Sequence, residues 1–230
     1  MSRIKAILFD KDGTLFDFEA TWSAWAAGAI RALADGDDAL TGRLAEALGY
    51  DLAAETFRPE SLVIAGTIEE QSAILAPHLD LPAAEITARI VTLSEDVPQR
   101  EVVPLGPFLK DMRARGYGLG VATNDAEASA RVHLRRAGAL HLFDFVAGYD
   151  TGYGGKPGPG QLLAFAAAQG LSPGEIAMVG DSTHDLEAAR HAGCVPVAVL
   201  TGPATEKTLS PLAAAVLPSI AVLPGWLSGV

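Results

Sequence analysis

KAILFDKDGT, residues 5–14, is an apolar run cut off by two carboxylates. Lys5 to Phe9 is short, apolar and stops at Asp10, which suits a buried β-strand. Asp10 and Asp12 leave that strand two residues apart, so both side chains can enter one site. One carboxylate can attack phosphorus and form an aspartyl phosphate. The other can protonate a leaving oxygen and then take a proton from water. Gly13 permits a tight turn away from the sheet. Taken alone, Asp-x-Asp is common and reads first as an acidic loop or a turn at a strand end; the apolar run before DxDGT makes the pattern much stronger.

Working outward, similar apolar runs recur at Gly118–Ala122, Phe145–Ala147, Ile176–Val179 and Val195–Leu200. Helical periodicity lies between them, over Leu105–Arg115, Ala126–Ala137 and Gln161–Gln169. Each of these segments is followed by a glycine, a common helix stop. Strands alternating with helices predict an α/β fold with a parallel sheet covered on both faces.

Residues 18–96 break the alternation. They read as helices near Glu19–Ala34, Asp37–Leu48, Thr67–Ala76 and Pro82–Ser94, with a strand signal only at Ser61–Ala65 and no lysine. This predicts a helical insert over 18–96 in a core made of 1–17 and 97–230. Pro98 and Pro104 flank the return to the core.

Three more clusters follow predicted strand ends, where open α/β sheets bind ligands. Thr123 and Asn124 follow GLGVA. A hydroxyl and the next backbone N–H there can hold phosphate oxygens at a helix head, or the pair is an ordinary helix N-cap. Lys156 lies in the glycine-rich loop GYGGKPGPG and is one of five lysines in the chain. It can neutralise phosphate and nucleophile, the stabilisation that phosphoryl transfer demands most, or it is a solvated loop lysine. Asp181 and Asp185 follow IAMV in GDSTHD. Acidic groups there can hold Mg²⁺, which prefers oxygen ligands, while Asp185 also suits a helix start.

The chain has 230 residues, 49% of them apolar, and a formal net charge of −11. That composition supports a large core and argues against disorder. The negative charge disfavours nucleic acid and anionic membranes as partners. The lone cysteine, Cys194, cannot form an intrachain disulfide and is expected to be buried. It fits a cytoplasmic location. The start of the chain has no long apolar core before a cleavage site, and the Trp22–Leu33 stretch is too short to span a bilayer. Oligomeric state is not legible.

Together, FDKDGTL, VATN, GGKPGP and MVGDSTHD, in this order, resemble the four motifs of the haloacid dehalogenase superfamily. The resemblance covers nearly the whole chain and is nearest to phosphoglycolate phosphatase-like members. It implies a Rossmann-like core with a helical cap that closes over the substrate. It implies Asp10 as nucleophile, Asp12 as general acid and base, and a phosphoryl grip by Thr123, the Asn124 amide and Lys156. Mg²⁺ would be held by the Asp10 carboxylate, the Asp12 main-chain carbonyl and Asp181, with Asp185 behind them orienting Lys156 or a metal-bound water. The substrate would be a small phosphorylated metabolite, phosphoglycolate first among the candidates.

Asp12 disfavours dehalogenation, since dehalogenases of the superfamily lack it. The lysine-free insert disfavours phosphonate hydrolysis, which uses a cap lysine. A sugar-phosphate mutase or phosphotransferase, and a non-catalytic binding protein on the same fold, are the rivals. Phe18 departs from the small polar residue common in DGTLxDS. Arg58, in TFRPES, is the candidate for gripping a substrate carboxylate, by its bidentate geometry, against the reading of an ordinary surface arginine. His133 and His191 read as helix-surface residues, and Trp22 and Trp25 as packing residues.

Overall fold

The computed structural model describes residues 4–58, 61–64, 66–94 and 97–229. The chain divides into two compact units, Met1–Phe18 with Gln99–Val230, and Glu19–Pro98. The junctions therefore lie at 18 and 98, where the sequence suggested 17 and 96, and Phe18 belongs with the core. Asp96, the expected last residue of the insert, lies outside the described residues.

The chain opens with β1 (Ala6–Phe9). A π-helical turn at Glu19–Ser23 runs into α1 (Ala24–Leu33), followed by α2 (Asp38–Leu48). A short hairpin, β2 (Tyr50–Asp51) and β3 (Thr56–Phe57), comes next, then α3 (Ile68–Leu79) and α4 (Ala83–Ser94). The core resumes with α5 (Leu105–Ala114), β4 (Gly118–Ala122), α6 (Glu127–Arg136) and β5 (Phe145–Ala147). It continues with α7 (Gly160–Gln169), β6 (Ile176–Gly180), α8 (Thr183–Ala192) and β7 (Val195–Val199). It ends with α9 (Glu206–Leu209), β8 (Ala215–Leu217) and α10 (Leu223–Leu227).

Six strands form one parallel sheet in the order β5-β4-β1-β6-β7-β8. Strand alternation divides the core between its two faces. Ile7, Phe9, Leu119, Val121, Ala177 and Val179 pack with Leu105, Leu109, Met112 and Leu134. Ala6, Leu8, Ile176 and Met178 pack on the opposite side with Leu162, Phe165, Ala188, Ala189 and the buried Cys194. Each fully buried Leu, Phe or Met side chain contributes about 1.5–3 kcal/mol. The period-two split fixes the register, since a slip of one residue would exchange the two faces.

The insert is held by caps that its sequence advertises. Asp37 accepts a hydrogen bond from the Leu40 N–H, and Thr67 and Glu70 form a reciprocal capping box. α3 runs on past Ala76 through Pro77 to Leu79. The expected strand at Ser61–Ala65 is replaced by a 3₁₀ turn at Leu62–Ile64, and Ala65 lies outside the described residues. The Ser61 hydroxyl explains the change: it donates to the Leu48 carbonyl at 2.6 Å and accepts from the Val63 N–H at 3.2 Å, which closes a local turn. No helix among the described residues is long and apolar enough to cross a membrane.

Candidate active site

β1, β4 and β6 end level with one another, because Phe9 pairs with both Val121 and Val179. Asp10, Thr123 and Asp181 therefore leave the sheet at the same edge. β1 lies where the strand order turns back on itself, the position at which such sheets bind ligands. The Asp10 N–H donates to the Val179 carbonyl at 2.8 Å and fixes where its side chain emerges.

After Asp10 the chain coils tightly. The Leu15 and Phe16 N–H groups donate to the Lys11 carbonyl, and the Gly13 N–H donates to the Phe16 carbonyl. Gly13 has φ +81°, and a Cβ there would collide with the Asp181 carboxylate. The turn is tied from two sides: Thr14 donates to Asp181 Oδ1 at 3.3 Å, and Thr201 donates to the Gly13 carbonyl at 2.6 Å.

Asp10, Asp181 and Asp185 are buried, and one carboxylate oxygen from each lies within 4.8 Å of the others. Lys156 enters this group. Its Nζ donates to Asp10 Oδ1 and to Asp185 Oδ1, both at 2.6 Å. Asp185 is held by the start of α8, accepting at Oδ2 from the Ser182 N–H and hydroxyl. The Lys156 backbone is clamped by Asn124, whose Oδ1 accepts from the Lys156 N–H at 2.7 Å while its Nδ2 donates to the Lys156 carbonyl at 2.8 Å. Gln161 reinforces the loop, donating to the Thr123 and Gly154 carbonyls, each at 3.1 Å.

Thr123 and Asn124 do not cap α6; its N-cap is Ala126, without a side-chain cap bond. The Thr123 hydroxyl accepts from the Asp125 N–H at 3.1 Å, and a hydroxyl that accepts still has a proton to donate.

Burial pushes the Asp10 carboxyl up to about 7 against the pull of Lys156, with Asp185 and Asp12 adding repulsion. Burial likewise raises Asp181 well above the carboxylate range, reinforced by Asp10 and Asp185. Burial works to depress the Lys156 ammonium, but Asp10 and Asp185 outweigh it and hold it above its ordinary value. Three buried carboxylates thus share one lysine. That donor set, all oxygen and short of positive charge, fits a hard divalent cation. The space beside Asp181 is kept open by glycine on two sides, since a Cβ at Gly13 or at Gly202 would strike its carboxylate.

The Asp12 side chain takes a different course. Its Oδ2 lies 2.7 Å from Lys11 Nζ. Lys11 is fully buried and also reaches His133 Nδ1 at 3.1 Å and Asp125 Oδ2 at 3.4 Å. His133 is therefore a core residue, correcting its reading as a helix-surface residue. It is buried because Lys11 supplies a donor for its ring across 122 residues of sequence. In the insert, Arg58 turns its fork onto Glu46, with Nη1 to Oε1 at 2.9 Å and Nη2 to Oε2 at 2.6 Å. A grip on a substrate carboxylate by Arg58 would have to displace that partner.

Several site residues escaped the sequence reading: Lys11, Asp125 and His133, the clamping side chains of Asn124 and Gln161, and Thr201. Thr201 alone carried a usable signal, standing directly after the apolar run that becomes β7.

A family model described as a haloacid dehalogenase-like hydrolase matches residues 4–193. The chain is 32% identical over 213 residues to a phosphoglycolate phosphatase of Chromobacterium violaceum, covering 91% of this chain and 90% of that protein. A shorter stretch of 91 residues is 40% identical to a Dickeya dadantii protein named "Probable phosphatase IndB", and it spans 40% of each chain. Among solved structures, a HAD phosphatase from Thermococcus onnurineus superposes with a TM-score of 0.69 at 25% identity. It covers 98% of this chain and 99% of its own.

Proposed function

We propose that this chain, which belongs to the haloacid dehalogenase-like hydrolase family, is a Mg²⁺-dependent phosphatase that hydrolyses a small phosphate monoester through an aspartyl phosphate on Asp10. One observation carries the reading. Asp10 sits at the end of the central strand with Lys156 on its Oδ1, among buried carboxylates grouped as for one metal ion.

In the first step an Asp10 carboxylate oxygen forms a bond to phosphorus as the ester P–O bond breaks. Asp12 gives its proton to the departing alkoxide, which leaves as an alcohol. Water then attacks phosphorus and passes a proton to Asp12. The bond between Asp10 and phosphorus breaks, releasing inorganic phosphate and restoring the carboxylate. Lys156 holds Asp10 in place and offsets negative charge throughout. The Thr123 hydroxyl and the Asn124 N–H hold phosphoryl oxygens, and the Asn124 side chain keeps the lysine loop in register. Bound Mg²⁺, held by Asp10, Asp181 and the Asp12 main-chain carbonyl with Asp185 behind them, would neutralise charge on the transferring group and act as a template.

Phosphoglycolate is the first substrate to try, because the Chromobacterium relative carries that name and matches along most of both chains. The buried, lone cysteine supports a reducing, cytoplasmic setting. The test is phosphate release from a panel of phosphorylated metabolites and a chromogenic aryl phosphate, with Mg²⁺ and with chelator. Free phosphate that appears only with the metal is expected. An isomerised sugar phosphate would make the protein a mutase, and no product from any ester would make it a binding protein.

A further inference from the structure

Lys11 is a buried cation that the mechanism above does not use. Its side chain is fully buried and lies against Asp12, Asp125 and His133, with the Phe16 ring centroid 6.0 Å from Nζ. Burying an ammonium costs several kcal/mol unless its partners are well placed, and an apolar side chain of similar length would fill the space without that cost. The surrounding groups match what an ammonium needs. It has three donors and no acceptor; Asp12 Oδ2 at 2.7 Å and His133 Nδ1 at 3.1 Å lie within hydrogen-bond reach, and Asp125 Oδ2 adds an ion pair at 3.4 Å, each from a different element. Asp12 comes from the turn after β1, Asp125 from the loop after β4, and His133 from α6. Because the ammonium can only donate, His133 Nδ1 must accept, which puts the ring proton of the neutral imidazole on Nε2. Asp125 is itself fixed, its Oδ1 accepting from the Ala126 N–H at 2.8 Å.

We propose that Lys11 is a positioning residue for Asp12, braced from behind by Asp125 and His133, and that it thereby sets how well Asp12 delivers and takes its proton. The inference rests on the phosphatase reading and deepens it. An ammonium on Oδ2 fixes the plane of the Asp12 carboxyl, and proton transfer in the transition state is sensitive to placement of that kind.

The test compares leaving groups. An alkyl phosphate needs a proton on its departing oxygen, whereas p-nitrophenyl phosphate releases a stable phenolate without one. In Lys11→Met, kcat for phosphoglycolate should fall on the order of 10²-fold, at the low end for loss of general acid catalysis, with KM little changed. With the aryl ester, the first turnover should stay within about threefold of wild type by the same reasoning. A burst of phenolate should follow, since Asp12 must still activate water in the second step. Adding Lys11→Met to Asp12→Asn should cost nothing further, the mark of two groups acting as one. Should Lys11→Met fail to fold, His133→Leu and Asp125→Asn carry the same test, with the same direction expected. Equal losses on both esters in the first turnover, or additive losses in the double variant, would overturn the proposal. A wild-type protein that releases phosphate from neither ester contradicts the phosphatase reading instead.

Discussion

Among the described residues, every buried carboxylate and ammonium lies in the core unit: Asp10, Lys11, Lys156, Asp181 and Asp185. The buried polar side chains of the insert are all hydroxyls, Thr21, Ser23, Thr41, Ser61, Ser72 and Ser94. Several close local bonds, such as Ser72 to the Ile68 carbonyl at 2.7 Å and Ser94 to the Val91 carbonyl at 2.9 Å. A hydroxyl that finds a carbonyl one helical turn away costs little to bury, while a buried charge costs several kcal/mol unless it is paired. The insert is built as ordinary helical packing. The core accepts the cost of buried charge at the end of its sheet, and that contrast supports placing the proposed chemistry there.

Breaking the charge set should give the largest effect. Lys156→Met removes the amine from both Asp10 and Asp185, and kcat/KM should drop by about 10³-fold or more, as for other preorganised charge stabilisers. Activity within about tenfold of wild type, measured on the aryl ester, would mean that the core's buried charges are structural.

Next comes the linkage between metal, proton and stability. The Asp10 carboxyl titrates near 7 in the fold, against 3.8 ordinarily. Between those values the folded chain keeps a proton that the unfolded chain has lost. Metal-free stability should therefore fall as pH rises through this window, by a few kcal/mol on the linkage relation. Mg²⁺ binding requires the ionised carboxylate, so the Mg²⁺-induced rise in Tm should be larger near pH 8 than near pH 5. Equal rises at the two pH values would contradict this.

The insert should respond to packing instead. Leu75 is fully buried there, and Leu75→Ala should destabilise by about 2–5 kcal/mol. Denaturant unfolding measures that loss, and the Mg²⁺-induced rise in Tm measured on the same variant should be kept. Loss of that rise would blur the division of labour. The smallest effect is expected for Arg58→Ala, because its pair with Glu46 is solvent-exposed and such pairs contribute about 0–1 kcal/mol. A large loss in kcat/KM for phosphoglycolate, with the aryl ester unaffected, would support Arg58 as a carboxylate grip.

Much of the core was legible because its signals are local. Each chemical cluster stands where an apolar run stops, and the glycines at 116, 138 and 170 mark helix ends with positive φ. What was missed depends on distant partners or on very short elements. Lys11 reads as the spacer in Asp-x-Asp, and nothing near it in sequence announces His133, which lies on a helix whose other residues include Arg131, Arg135 and Arg136. β8 has three residues, and the β2–β3 hairpin has two on each side. The hairpin turn is held by Asp51 accepting from the Ala53 and Ala54 N–H groups, and its rings Tyr50 and Phe57 meet at 4.9 Å. Neither leaves a periodic trace long enough to read. The Asn124 clamp was hidden differently: the residue was noticed for its backbone N–H, while its side chain bonds a loop 32 residues away.

Borohydride reduction of the protein quenched during turnover would test the nucleophile directly, because it converts an aspartyl phosphate to homoserine. Homoserine is expected at position 10 in the wild-type protein, with no phosphate release from Asp10→Asn. Homoserine at another position, or an unmodified residue 10 in a sample that is turning over, would contradict it.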